Sequence, residues 1–283
     1  MGLRTLDDRV VVITGAGSGI GRALPRDCAR RGARLALSDV DEAGLAETVR
    51  LAEADGVREV RAGRLDVADR AAFTAYAEET AQAFGRVNVV VNNAGVSLSG
   101  DLLDLSWEDM DWITGINLGG VVHGTKLFLP HLIASGEGHV VNISSLFGLI
   151  SMPGQSMYNA AKYAVRGMTE ALREEMLIAG HPVGVTAVHP GGIRTGIARN
   201  GRSSAGDEER DSLAAIFDAK LARTSPEKAA TVILEGVLKG RARVLVGADA
   251  HVLHHLARLS GSRYQDVVAR LYPRLASDRA DRG

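Results

Sequence analysis

Residues 10–14 read VVVIT, five β-branched residues, and run directly into Gly15-Ala16-Gly17-Ser18-Gly19-Ile20-Gly21. β-branched side chains favour an extended backbone. Glycines straight after such a strand let the chain turn sharply, and their missing side chains let another backbone or a phosphate come close. Where the turn opens a helix, unpaired N–H groups form an anion site fitted to a pyrophosphate. A glycine-rich turn alone is a weak signal, but one lying between a first strand and a first helix predicts dinucleotide binding. Gly15, Gly17, Ser18, Gly19, Ile20 and Gly21 are the expected contacts.

The pattern continues along the chain. Apolar runs at 10–14, 34–38, 59–67, 87–93, 139–144, 183–189 and 243–247 predict seven strands, most of them apolar nearly throughout, as in parallel strands covered on both faces. Helical patterns lie at 41–54, 69–84, 107–134, 156–179 and 226–239, with Asp69, Ser106 and Ser225-Pro226 as start signals. The expected fold is α/β: a single-domain, Rossmann-like, doubly wound parallel seven-stranded sheet with helices on both faces. All 283 residues form one unit in this reading, with a core over about 7–247, a mobile substrate lid at 196–225 and a helical extension at 248–283. Ligands of such sheets lie beyond the carboxyl ends of the strands.

Charge and composition narrow the partners. With 33 Lys+Arg against 34 Asp+Glu, the chain has no basic excess to hold a nucleic acid. Cys28 is the single cysteine, which excludes an internal disulfide or a cysteine-cluster metal site and suits a small packed helix residue. His251, His254 and His255 lack a carboxylate or cysteine to complete a metal site, so no metal is expected. The apolar run near the amino terminus is too short for a secretory signal or a spanning helix, and a cytoplasmic location is the default expectation. The tail's amphipathic stretches predict helices packed on the body or on a partner subunit, with a membrane-surface contact as the minor reading.

Two groups of residues bear on chemistry. Asp39 ends the second strand, where its carboxylate would accept hydrogen bonds from adenosine ribose hydroxyls and repel a 2′-phosphate, which favours NAD. Asp39 or Asp41 could instead cap the next helix, and Arg22 and Arg34 lie near enough in sequence to keep NADP open. Tyr158 and Lys162, four residues apart on one helix face, follow Ser144 and Ser145 at the end of the run 139–144.

Five ordered motifs now stand together: Thr14-Gly15-x-x-x-Gly19-x-Gly21, Asn92-Asn93-Ala94-Gly95, Ser145 thirteen residues before Tyr158, Tyr158-x-x-x-Lys162, and Pro190-Gly191-x-x-x-Thr195. In them the chain resembles the short-chain dehydrogenase/reductase family. The resemblance implies hydride transfer between NAD(H) and a secondary alcohol or ketone, with Asn117, Ser145, Tyr158 and Lys162 as a catalytic tetrad. Tyr158 would be the general acid/base, and Ser145 would bond the substrate oxygen. Lys162 would lower the phenol's pKa and grip the nicotinamide ribose, while Asn117 would hold a water joining Lys162 to solvent. Asp66 and Val67 would contact adenine, and Asn93, Ala94 and Gly95 would line its ribose side. Pro190, Gly191, Ile193 and Thr195 would form the carboxamide end, and a homodimer or homotetramer is expected.

Leu146, Phe147, Met152, Gly192, Ile197 and Phe217 are candidates for an apolar substrate pocket, and with no arginine clamp evident a lipophilic alcohol or ketone fits best. The alternatives are an NADP(H)-dependent carbonyl reductase and a catalytically silent cofactor-binding protein, although a pure binder has no need of Ser145 and Tyr158 together. A sugar-nucleotide epimerase or dehydratase would show another glycine spacing and a larger carboxyl-terminal region. Pro25, beyond the first turn of the first helix, predicts a local distortion or lower stability there, with the phosphate loop intact.

Overall fold

The computed structural model describes residues 3–216 and 222–277. Its strands are β1 (Val10–Thr14), β2 (Arg34–Asp39), β3 (Val60–Arg64), β4 (Val89–Asn92), β5 (Leu98–Ser99), β6 (Gly138–Ile143), β7 (Val183–Pro190), β8 (Arg202–Ser203) and β9 (Arg243–Val246). Seven form one parallel sheet in the order β3-β2-β1-β4-β6-β7-β9, and β5 and β8 form a separate parallel pair. The chain winds outward from β1 in one direction and from β4 in the other. A crevice therefore opens between the loops that leave their carboxyl ends.

Successive side chains of a strand point to opposite faces, so a strand covered on both sides must be apolar at every position. Val11 and Ile13 enter a core with Leu24 of α1 (Gly19–Arg30) and with Ile233 and Leu234 of α8 (Pro226–Leu238). Val10 and Val12 enter the opposite core with Phe73 of α3 (Arg70–Phe84), Phe128 of α5 (Gly120–Ala134) and Leu172 of α6 (Ser156–Ile178). Each such fully buried side chain contributes about 1.5–3 kcal/mol.

The start signals act as caps. Asp69 accepts from Ala71 N and Ala72 N at α3, Ser106 from Asp109 N at α4 (Trp107–Thr114), and Ser225 from Lys228 N at α8, where Pro226 takes the first helical position. Asp41 caps α2 (Glu42–Ala54). The continuous helix predicted over 107–134 is broken by a π-helical turn at Gly115–Gly119. Nor is the distortion predicted at Pro25 found: α1 runs unbroken through it, the ring packed on the buried face. The missing N–H costs one helical bond, to the Gly21 carbonyl, and the packed face holds the rest.

The chain ends in α9 (Ala248–Ser260) and α10 (Arg263–Ser277), after α7 (Asp207–Ile216) in the segment that follows β8. Ala250, Ala257 and Tyr264 pack against Leu146, Phe147 and Ile150, so the extension lies on the body of the protein. Among the described residues no helix is long and apolar enough to cross a membrane.

Candidate active site

The loops after β1 and β4 are pressed together. A Cβ on Gly15, whose φ is +65°, would lie 2.7 Å from the Cα of Ala94, and one on Gly21 would overlap the Gly15 carbonyl oxygen. Asn93 locks the contact, its amide donating to the carbonyls of Thr14 (2.9 Å) and Gly15 (3.0 Å), while Thr14 Oγ1 accepts from the N–H groups of Asn93 and Ala94 at 3.1 Å. Asn93 thus braces the glycine loop with its side chain. Such a close-packed turn at a helix start leaves backbone N–H groups exposed to an anion.

Asp39 reaches into this loop: Oδ2 accepts from Gly17 N at 2.7 Å and Oδ1 from Asp41 N at 2.9 Å. Asp41, not Asp39, is the helix cap, accepting from Gly44 N at 3.0 Å. The two nearby arginines are engaged. Arg22 bonds the Gly17 carbonyl and Thr48, and Arg34, at the opposite end of β2 from Asp39, pairs with Glu59 at 2.6 Å.

The loop after β7 completes the cradle. A Cβ on Gly19 would meet the Thr195 methyl at 2.9 Å, and where the two loops meet a cavity of about 270 Å³ is walled by Arg22, Arg26, Arg194 and Arg199 with Glu227. Ile193 bridges to Thr224 while its side chain is buried in the core. The bridge uses Gly192 O and Arg194 N, which leaves the N–H and C=O of Ile193 itself outside the pair. Asp66 is exposed beyond β3 and Val67 is buried, its carbonyl 3.0 Å from His123 Nδ1. A glycine cradle, a ribose-ready carboxylate and a cationic wall fit a dinucleotide.

The tetrad residues assemble beside it. Ser145 leaves β6 in extended conformation and caps the 3₁₀ turn Leu146–Gly148, accepting from Phe147 N at 3.1 Å. Tyr158 and Lys162, on α6, are buried, with Lys162 Nζ donating to the Ile143 carbonyl at 3.1 Å and lying 5.7 Å from the Tyr158 ring centre. A Cβ on Gly95 would stand 3.1 Å from Asn117 Oδ1 and 3.3 Å from Lys162 Nζ, so both groups converge on that glycine. The π turn aims Asn117 inward, where its amide bonds both the N–H and C=O of Val96 at 2.8 Å. The Asn117 side-chain amide is therefore committed to Val96.

Burial lowers Lys162 to about 8. It also raises Tyr158 above the ordinary phenol value, and a hydrogen bond with Ser145 opposes this only in part. Among the protein's own groups desolvation dominates the Tyr158 shift, and the Lys162 ammonium is directed at the Ile143 carbonyl.

Around Tyr158 the walls are apolar. Leu98, Leu105 and Ile113 pack with it, and the Phe147 ring meets it edge-on at 6.2 Å. Leu146 is buried beside Ile150. Ile197 is tied through its carbonyl to Ser97 Oγ (2.9 Å), β8 pairs with β5, and Arg202 joins Asp109 at 2.8 Å with its guanidinium 4.2 Å from the Trp112 ring centre. The first part of 196–225 is thus docked at the rim of this site. Met152 lies elsewhere, on a cavity of about 610 Å³ shared with Asn159, Tyr163 and Tyr264, whose lining includes neither Tyr158 nor Ser145. Phe217 falls outside the described residues. Gly192 receives support that no local pattern signals: its N–H donates to Asp249 Oδ2 at 2.6 Å, across 57 positions, from the tail.

A dinucleotide cradle at the sheet's switch point, with a half-buried serine and a buried tyrosine and lysine at its edge, defines a dinucleotide-dependent oxidoreductase. The chain belongs to the short-chain dehydrogenase/reductase family, and the short chain dehydrogenase profile matches residues 9–206. SadH of Mycobacterium tuberculosis (strain ATCC 25618 / H37Rv), described only as an oxidoreductase, is 55% identical over 267 residues, 94% of this chain and 96% of its own. The 3-oxoacyl-[acyl-carrier-protein] reductase FabG of Thermotoga maritima is 38% identical over 191 residues, 67% of this chain and 76% of its own. A short chain dehydrogenase/reductase from Burkholderia phymatum, solved in complex with NAD, superposes with a TM-score of 0.85 at 33% identity, covering 91% of this chain and 95% of that one.

Proposed function

We propose that the protein transfers hydride between NAD(H) and a secondary alcohol or ketone with a lipophilic body, and that Tyr158 carries the proton. The observation that carries this reading is the buried Tyr158 phenol among apolar walls, with Lys162 Nζ 5.7 Å from its ring centre and converging with Asn117 on Gly95. Bound NAD supplies the redox chemistry, taking a hydride from a carbinol carbon or, when reduced, giving one to a carbonyl carbon. Gly15 to Gly21 would hold its pyrophosphate, Asp39 its adenosine ribose, Asp66 and Val67 its adenine, and Ile193 and Thr195 its carboxamide. Tyr158 gives the proton to the substrate oxygen in reduction and takes it in oxidation. Ser145 donates to the same oxygen as charge develops there. The segment 196–225, tied down at β8, acts as the lid over the apolar wall of Leu146 and Phe147.

NAD rather than NADP follows from Asp39, whose carboxylate would repel a 2′-phosphate while Arg22 and Arg34 are held by other partners. In Asp39→Ser the ratio of kcat/KM for NADH over NADPH should fall at least ~100-fold. An unchanged ratio in steady-state kinetics would contradict the role of Asp39.

The raised Tyr158 pKa sets the pH dependence. A phenol whose pKa is raised keeps its proton through neutral pH, so it is ready for ketone reduction but must ionise before it can accept a proton. Oxidation kcat/KM should climb with pH above neutrality, and reduction should fall only at the alkaline end. A pH profile for oxidation that is flat or falling over that range would count against Tyr158 as the base. The reaction itself is tested by NADH consumption across ketones graded by size and polarity: turnover should be greatest with bulky apolar ketones, and no turnover with any ketone or alcohol would overturn the reading.

A further inference from the structure

We infer that His189 is a positioning residue for Ser145, holding its peptide in place by a hydrogen bond from the imidazole Nδ1–H to the Ser145 carbonyl oxygen. This rests on the oxidoreductase reading above. His189 is the next-to-last residue of β7, just before Pro190, and its side chain is wholly buried, with Nδ1 2.9 Å from Ser145 O. A backbone carbonyl can only accept, so the ring proton sits on Nδ1. Burial pushes the imidazole down to about 4, which keeps it neutral. Nε2 is then left as a buried acceptor with no partner. A leucine or valine would fill the space without that orphan, so the imidazole is explained by its other nitrogen.

The bond falls where the sheet ends. Ser144 N donates to Val188 O at 2.8 Å as the last rung between β6 and β7, and Ser145 is the first residue beyond it. The Ser145 carbonyl also accepts from Gly148 N at 2.9 Å, within its own 3₁₀ turn. His189 adds a tie from the neighbouring strand, so the peptide is gripped from two directions. The Ser145 hydroxyl must meet a substrate oxygen beside Tyr158, and a misplacement of about 1 Å is enough to slow such chemistry greatly.

The test compares His189→Asn, whose amide N–H can take the place of Nδ1–H, with His189→Leu, which fills the space without a donor. With the best-turned-over ketone of the graded panel, His189→Leu should lose roughly 30-fold or more in kcat while its NADH Kd, from fluorescence titration, stays within about 3-fold. His189→Asn should return to within about 5-fold of wild type. Asn and Leu variants with the same kcat, whether both active or both impaired, overturn the inference. A second measurement needs neither turnover nor a stable Leu variant: nitrogen-15 spectra of the wild-type imidazole should show the proton on Nδ1, and a proton on Nε2 overturns the inference. A wild type inactive on every ketone and alcohol strikes instead at the oxidoreductase reading.

Discussion

Tyr158→Phe is expected to bind NADH as tightly as the wild type and to lose about 10³-fold or more in kcat, within the range set by removal of a positioned general acid. The substitution keeps the ring, so the edge-on contact with Phe147 at 6.2 Å and the packing on Leu98, Leu105 and Ile113 survive. What is lost is one hydroxyl, the group that would exchange the proton with the substrate. The defect is therefore chemical, and it should appear in kcat with little change in melting temperature. NADH fluorescence titration together with steady-state turnover checks both halves; undiminished activity would remove Tyr158 from the reaction.

Gly21→Ala carries the second large effect. The new methyl would overlap the Gly15 carbonyl oxygen and stand 2.6 Å from Asn93 Nδ2, so backbone rather than a flexible side chain must give way. The first turn of α1 would have to move by more than ~1 Å to restore ordinary contact distances. That movement opens the cradle, and NADH affinity should fall at least ~100-fold, about 2.7 kcal/mol. Overpacking of this kind also costs about 1–3 kcal/mol of stability. A variant that binds NADH like wild type would show that the close approach of the two loops does not form the binding site.

The strands of the sheet were legible because their signals are local. β-branched runs covered on both faces stay apolar throughout, and Asp69, Ser106 and Ser225 marked helix starts because each cap acts within three residues. The π turn at Gly115–Gly119 was not legible, since the helical pattern on its two sides runs straight through it. β5 and β8 are two residues each, too short for any alternation to register, and they exist because residues 197–204 lie along residues 97–99.

At the site, the family resemblance singled out Tyr158, Lys162 and Ser145, but it did not reveal what each group touches. For Asn117, only the folded chain shows its amide committed to Val96. Asp249 and His189 act across 57 and 44 positions, and no short pattern contains such a pairing.

Hydride transfer with Tyr158 as proton donor is tested most directly by reducing a ketone with NADH deuterated on one face of the nicotinamide. One face should deliver its deuterium to the carbinol carbon of the product and the other none, with the new hydroxyl proton drawn from solvent. Product free of deuterium from either face, or label appearing in the water, would contradict direct transfer in this site.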